Sequence, residues 1–434
     1  MNRIIERLGD NVNLEGFEEI SIRAIRSYDG LTFAFDSKSY FDLYYLYTLK
    51  NNQLEFLVGT KDLIVSLPEL QEEEFYYVAG YRIENGEYVL KGKSELWECH
   101  PYPKIAPEKN PYITVVCPVY NAETCIANCI DSILLSTQDE MDMILVDDGS
   151  TDRSRDIIAW YQQEYPGIIK YYYQDNKGVS YARNKGIELA EGNFIGLIDN
   201  DDYVHPRMYE ELLKAAIIEN CPIAIGKTII KAPDGTVNVV LNVPNEKGEE
   251  TRSVSFEEMM RLKLKGDPNN IFFVAVWHKI IRADIVKQHA FPTSNHYEDT
   301  AYTRMIYSYI DRFAFAHDAY YIWDQRRRNT VGTASTTFYK SKSDDIYEIH
   351  KKFFDANFFG YEKGNPKRMD WTSYDLIKEV YGYLKKTNCL DKSNDLYKIV
   401  ANQIKDHFMD LYLQNNPLMK QDKELLDFVN GIER

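Results

Sequence analysis

The chain has 434 residues, of which 44% are apolar and 27% charged. That balance belongs to a globular protein of roughly two to four domains and excludes disorder over most of its length. Its 51 Lys and Arg stand against 67 Asp and Glu, a formal charge of −16, which argues against a nucleic-acid partner bound through phosphate neutralisation.

The first twenty residues carry Glu6, Asp10, Glu15, Glu18 and Glu19, a pattern that predicts no signal peptide. Ile20, Ile22 and Ala24 then alternate with polar neighbours, as do Leu31, Phe33 and Phe35, and the stretch 41–49 is rich in Tyr and Leu. Asn51-Asn52 and Asn85-Gly86 fall between apolar runs, the second a type I′ hairpin signal. About seven short strands in residues 1–100 predict an antiparallel β-sandwich, which by pattern resembles an immunoglobulin-like accessory module. Four prolines lie in residues 101–111, HPYPKIAPEKNP with its leading His100, and predict a stiff linker that separates this module from the rest of the chain.

After the linker the period changes. Ile113–Cys117 is a continuous apolar run, as in a strand buried on both faces. Strands are expected again at 143–146, 168–173 and 194–198, with helices at 123–135, 154–165 and 179–190. This alternation predicts an α/β domain over 112–339, built on a mostly parallel, Rossmann-like sheet. The most apolar stretch, Ile271–Trp277, has seven residues, too few for the ~20 of a membrane-spanning helix. Residues 340–434 turn helical and polar, with helices expected at 345–359, 374–386, 394–413 and 420–429. Phe353, Phe354, Phe358 and Phe359 need burial there, against the α/β domain or in a homo-oligomer. Six cysteines (Cys99, Cys117, Cys125, Cys129, Cys221, Cys389) show neither C-x-x-C nor zinc-like spacing and read as reduced core residues. The expected location is the cytoplasm, including peripheral attachment at the inner face of the membrane.

In open parallel sheets, ligands sit beyond the carboxyl ends of the strands. Here those ends carry Pro118-Val119-Tyr120-Asn121, then Asp147-Asp148-Gly149-Ser150-Thr151-Asp152, then Asp175-Asn176-Lys177-Gly178, and finally Asp199-Asn200-Asp201-Asp202. Helix capping explains Asp152, and is one reading of Ser150 and of Asp202 ahead of Pro206. It does not explain successive acidic strand ends at one sheet edge. Carboxylates facing each other raise one another's pKa unless a cation lies between them, and hard oxygen ligands favour Mg²⁺ or Mn²⁺. Neither G-x-G-x-x-G after the first strand nor a Walker A sequence is present.

The segments VCPVYN, LVDDGSTD, NKGVSYARNKGIELAEGNFIGLIDNDD, WHKIIR and YEDT together resemble a family 2 glycosyltransferase with the GT-A fold, over roughly residues 112–330. The resemblance implies a uridine pocket lined by Pro118, Val119, Tyr120 and Asn121, with Asp148 accepting from the base edge. It implies that Asn176, Gly178 and Arg183 close the nucleotide site and that Asn200 lies within it. It places Asp201 on the metal, Mn²⁺ or Mg²⁺, and Asp199 on the ribose or a metal-bound water. Glu298-Asp299, which alone reads as an acidic first helical turn, matches the family's catalytic pair, with Asp299 as base and Glu298 beside it for acceptor hydroxyls.

Trp277 is either a sugar-stacking ring or a core residue, and His278 either an acceptor or diphosphate contact or a structural histidine. Arg326-Arg327-Arg328 is either a diphosphate-binding loop or a solvated charge run, with Arg326 its candidate contact, and His317 is a candidate second metal ligand. The implied activity is metal-dependent, inverting transfer from a UDP-sugar to a glycan or glycosylated acceptor. A nucleotidyltransferase and a non-catalytic glycan-binding scaffold are the alternatives. The first lacks its glycine-rich triphosphate loop; the second sits badly with intact D-N-D and E-D pairs.

Overall fold

The computed structural model describes residues 15–37, 41–51, 53–68, 74–99, 101, 106–107, 111–234, 236–240, 251–264, 273–293, 297–326, 363–386, 388–407 and 416–432. The expected helix at 345–359, most of the proline-rich stretch, and Arg327-Arg328 lie outside them.

The amino-terminal region holds β1 (Glu18–Glu19), β2 (Ser21–Ser27), β3 (Gly30–Asp36), β4 (Leu43–Lys50), β5 (Gln53–Thr60), β6 (Ile64–Leu67), β7 (Phe75–Glu84), β8 (Glu87–Lys93) and β9 (Trp97–Glu98). They form two sheets, one ordered β1-β8-β7-β4-β5 with β9 on β7, the other β2-β3-β6. Nothing identifies the pair as immunoglobulin-like. Asn85 and Gly86 both take positive φ and close the β7–β8 hairpin, the geometry that an Asn-Gly turn favours.

The sheets face each other through aromatic pairs, Phe33 on Tyr76 at 4.9 Å between ring centroids and Phe35 on Tyr44 at 5.4 Å. The alternation of Leu31, Phe33 and Phe35 predicts a solvated opposite face for β3. Instead Thr32 and Ala34 on that face are fully buried, because it lies against the α/β region. Ser27 and Thr32 each donate to Asp131 Oδ2 at 2.7 Å, and Tyr161 donates to Asp131 Oδ1 at 2.5 Å. Burial pushes the Asp131 carboxyl up to about 7 against those three donors. The expectation that the prolines hold the two regions apart therefore meets a shared hydrophobic core and a shared buried polar cluster.

The α/β region runs β10 (Ile113–Val119), α1 (Ile126–Leu134), β11 (Met141–Asp148), α2 (Ser154–Glu164), β12 (Ile169–Gln174), α3 (Val179–Leu189), β13 (Phe194–Leu197), β14 (Tyr203–Val204) and α4 (Met208–Ile218). It continues with β15 (Ile223–Lys231), β16 (Val237–Val240), β17 (Thr251–Ser255), α5 (Phe256–Leu264), β18 (Lys279–Arg282), α6 (Ala283–Val286), α7 (Glu298–Tyr307) and β19 (Arg312–Asp324). The strand order is β12-β11-β10-β13-β18-β15-β19-β14. The first four strands are parallel, and every residue of β10 and β11 is buried. Beyond them β18 runs antiparallel to both neighbours, so the sheet is mixed rather than mostly parallel. The strand–helix alternation that signals parallel crossovers stops at β13, which is why the sequence is silent on this half.

Helices α8 (Met369–Lys386), α9 (Asp395–His407) and α10 (Lys423–Gly431) pack around their own core of Leu376, Ile377, Val380, Val400 and Leu425. They are pinned to the α/β region by Arg304 of α7, which donates to Asp375 at 2.9 Å and to Glu379. The helix that carries Glu298 and Asp299 is thus held from behind.

Candidate active site

The order of the parallel strands reverses between β10 and β13, the place where an α/β sheet opens a ligand crevice. Asn200 Nδ2 spans that crevice and donates to Pro118 O at 2.9 Å. Asn121, in left-handed backbone, ties the β10 end to the β11 end: its amide donates to Ser150 Oγ at 3.0 Å, and its Oδ1 accepts from Thr151 N at 2.8 Å. Asp148 ties in the β12 end. It accepts from Gln174 Nε2 at 2.7 Å, Lys177 N at 2.9 Å and Gly178 N at 2.7 Å. Gly149 makes this closure possible, since a Cβ on its positive-φ backbone would lie 2.8 Å from Asn176 N.

Tyr120 stands out at the rim, 46% exposed. Val119 does not line the crevice with its side chain; at 1% exposure it belongs to the core that covers β10. Asp147, also buried, accepts from Ser150 N at 2.8 Å and from the Tyr171 hydroxyl at 2.9 Å.

Arg183, the centre of the site, joins its two halves. Nη2 donates to Asp199 Oδ1 at 2.9 Å and Nη1 to Glu298 Oε1 at 2.7 Å, with the side chain 5% exposed and its guanidinium 5.4 Å from the Phe291 ring centroid. Flanked by Asp199, Glu298 and Asp299, the guanidinium is held above its ordinary pKa even though burial works the other way. Tyr297, in left-handed backbone, opens α7 so that Glu298 and Asp299 begin its first turn. Asp299 Oδ1 accepts from Thr300 N at 2.7 Å. Burial and the neighbouring Glu298 push its carboxyl up to about 7, while Arg183 pulls it down.

Asp202 is no helix cap. It is buried, accepts from Tyr321 OH at 2.7 Å and from Asp324 N at 3.0 Å, and α4 begins without a side-chain cap. Burial, then Asp201 and Asp199, push its carboxyl well above the usual range. Among the described residues no cluster of three or more His, Cys, Asp or Glu is arranged for a metal. Asp199 and Asp201 nevertheless offer the hard oxygens of a Mg²⁺-type site, in which one or two carboxylates are completed by substrate phosphates.

Trp277 has one ring face against Tyr321, at 4.4 Å between centroids and 12° between planes, and makes a T-shaped contact with His278. His278 is fully buried; neither ring nitrogen has a hydrogen-bond partner among the described residues, and burial holds its pKa well below the ordinary value. A neutral ring enclosed in this way does not face a diphosphate. His317 is buried and lies on β19 between Phe315 and Tyr320, where the register against β15 shifts. Arg326 turns toward Asp324, with Nε on Oδ1 at 2.8 Å, and toward Asp62, with Nη2 on Oδ1 at 2.9 Å. Tyr321, Asp324, Phe291 and Asp62 support the site without having stood out in the sequence. Each is an ordinary strand or turn residue whose neighbours are set by folding alone.

Residues 114–289 match the family model "Glycosyl transferase family 2". The chain is 28% identical over 193 residues to the uncharacterized glycosyltransferase YibD of Escherichia coli (strain K12), covering 44% of this chain and 55% of that protein. It is 28% identical over 244 residues to glycosyltransferase GlyG of Streptococcus pneumoniae, covering 55% of this chain and 78% of that protein. The chain thus spans about half the length of the first relative. Among solved structures, S. aureus TarS 1–349 aligns at 18% identity with a TM-score of 0.49, over 74% of this chain and 90% of that one.

Proposed function

With residues 114–289 a family 2 glycosyltransferase domain, we propose that this chain transfers a sugar from a UDP-sugar to a hydroxyl of a glycan or glycosylated acceptor, inverting the anomeric centre. The observation that carries this reading is the Arg183 bridge. It brings the carboxylate at the β13 end and the carboxylate pair of α7 to one crevice, from positions 16 and 115 residues away.

The β10 side of that crevice takes the nucleoside. Tyr120 offers an exposed ring for the base, and Pro118, Asn121, Asn176 and Gly178 form the walls. Asp148, which here organises the loop amides of Lys177 and Gly178, sets the shape of the base pocket. Asp201 and Asp199 would hold Mn²⁺ or Mg²⁺, and that ion would stabilise the charge developing on the leaving diphosphate. Asp299 takes the proton from the attacking hydroxyl. A carboxyl at about 7 suits this work, because a base is most effective when its pKa lies near the operating pH. Glu298, fixed by Arg183, orients the acceptor. Proton removal and attack on one face, with departure of the diphosphate from the other, give inversion in a single displacement. Among the described residues, the amino-terminal sheets and carboxy-terminal helices supply none to this chemistry, and the sheets are the candidate surface for a polymeric acceptor.

The reading is tested by incubating the full chain with a panel of UDP-sugars, with and without Mn²⁺, and following slow hydrolysis to UDP. Metal-dependent release from at least one donor is expected. No hydrolysis of any donor, together with no UDP binding in Mn²⁺, overturns it.

A further inference from the structure

The turn between β5 and β6 leaves the amino-terminal sheets and places Asp62 inside the α/β region. Asp62 Oδ1 accepts from Arg326 Nη2 at 2.9 Å, from the Tyr203 hydroxyl at 3.2 Å, and from Lys231 Nζ. Lys231 is 2% exposed and also donates to the Lys61 carbonyl at 3.3 Å. Lys231 and Arg326 hold the Asp62 carboxyl below its ordinary pKa although burial opposes them.

From this point a continuous set of contacts leads to the D-N-D motif. Arg326 clamps Asp324 through Nε to Oδ1 at 2.8 Å and Nη2 to Oδ2 at 2.7 Å. Asp324 N donates to Asp202 Oδ1 at 3.0 Å. The Tyr321 hydroxyl donates to Asp202 Oδ2 at 2.7 Å and accepts from Asp199 N at 3.3 Å. The two cations Lys231 and Arg326 are balanced by Asp62 and Asp324. Neutralising Asp62 leaves one excess positive charge beside the buried Lys231 and Asp324, a costly arrangement that the cluster relieves by moving.

We propose that Asp62 is a positioning residue of the donor site, contributed by the amino-terminal β region: by completing the charge around Arg326 and Lys231 it fixes Asp324 and Asp202, and through them the backbone that carries Asp199 and Asp201. The amino-terminal region thereby belongs to the donor site's support rather than to acceptor binding alone. The effect on donor affinity rests on the proposed UDP-sugar function; the effect on the backbone does not.

The test uses the full chain with Asp62→Asn. Hydrogen exchange in the absence of ligand should accelerate at the Asp199 and Asp324 amides, and Mn²⁺-dependent UDP affinity should weaken by roughly 2- to 30-fold, the range for substitutions along a coupled network. In donor hydrolysis KM should rise while kcat holds. Thr32→Val serves as the comparison, since it loosens a separate contact between the two regions, at Asp131. It should lower thermal stability and leave both readouts unchanged. If Asp62→Asn does not fold, the charge-balanced double variant Asp62→Asn/Lys231→Met replaces it, with the same exchange expected because Arg326 still loses its anchor. Wild-type exchange and wild-type UDP affinity in a folded Asp62 variant overturn the proposal. Accelerated exchange in a protein whose wild type binds no UDP supports the positioning role and overturns the donor reading instead.

Discussion

Replacing Arg183 by Met removes the cation shared by Asp199 and Glu298 and leaves Asp299 beside carboxylates with nothing to offset them. Asp299 stands at about 7 with Arg183 in place, raised by burial and Glu298 and lowered by the guanidinium. An opposite charge within ~4–6 Å moves a carboxyl by ~1–3 units, so its loss should lift Asp299 by about 1–2 units. A base half deprotonated at pH 7 then becomes ~1–10% deprotonated, and turnover at that pH falls about 5- to 50-fold through this effect alone. The active form is the deprotonated one, so activity rises as pH rises through the pKa, and the variant should recover toward pH 9. The assay is kcat/KM for UDP-sugar hydrolysis from pH 5.5 to 9.5, with thermal unfolding as a check on folding. Arg183→Lys keeps the charge and should keep the position of the acid limb. Breaking a buried ion pair costs about 3–5 kcal/mol, and less here because Asp199 is a third exposed and partly screened by water. An acid limb left unmoved in folded Arg183→Met, with activity reduced equally at every pH, would refute the assignment of Asp299 as the base that Arg183 tunes.

Asp299→Asn keeps shape and cannot take a proton, so transfer should fall ~10²- to 10⁴-fold with UDP affinity nearly unchanged, measured by calorimetry alongside turnover. Asp201→Asn should remove the enhancement of UDP binding by Mn²⁺ without altering the fold; equal affinity with and without metal in the wild type would show that Asp201 holds none. Asp131, raised to about 7 by burial, binds its proton more tightly folded than unfolded. Its contribution to stability is therefore full at low pH and is lost as pH rises through about 7, so Asp131→Asn should flatten the fall in Tm between pH 4 and 7. A chain beginning at Glu108 lacks Ser27, Thr32 and Asp62, and is expected to unfold at lower temperature and to bind UDP more weakly than the whole protein.

The strand ends were legible because each is a local feature. A buried parallel strand writes itself as an unbroken apolar run, as Ile113–Cys117 does, and the polar residues after it must sit where the chain leaves the sheet. The same local signals place the helices at 154–164 and 179–189 within one residue of their expected ends. The motif residues at β10, β11, β13 and the start of α7 are thus named by the sequence itself. The reversal of β18 is not, because a four-residue strand without a following crossover leaves no period to read.

Partnership between distant residues was decided by the tertiary structure alone. Period and composition mark Thr32 as a polar position in an alternating strand; only the docking of β3 against α1 makes it a donor to Asp131. Arg326 reads as the start of a basic loop, and it becomes half of an ion cluster because Asp62, 264 residues earlier, is carried to it. Trp277 and His278 are each open in the sequence between a ligand contact and a structural residue; both are buried, Trp277 against Tyr321. Local backbone preference and hydrophobic period act over a few residues, so they fix each strand and the groups at its end. The charge that balances a buried cation is chosen by how the sheets pack, a choice on which no stretch of sequence shorter than the whole chain bears.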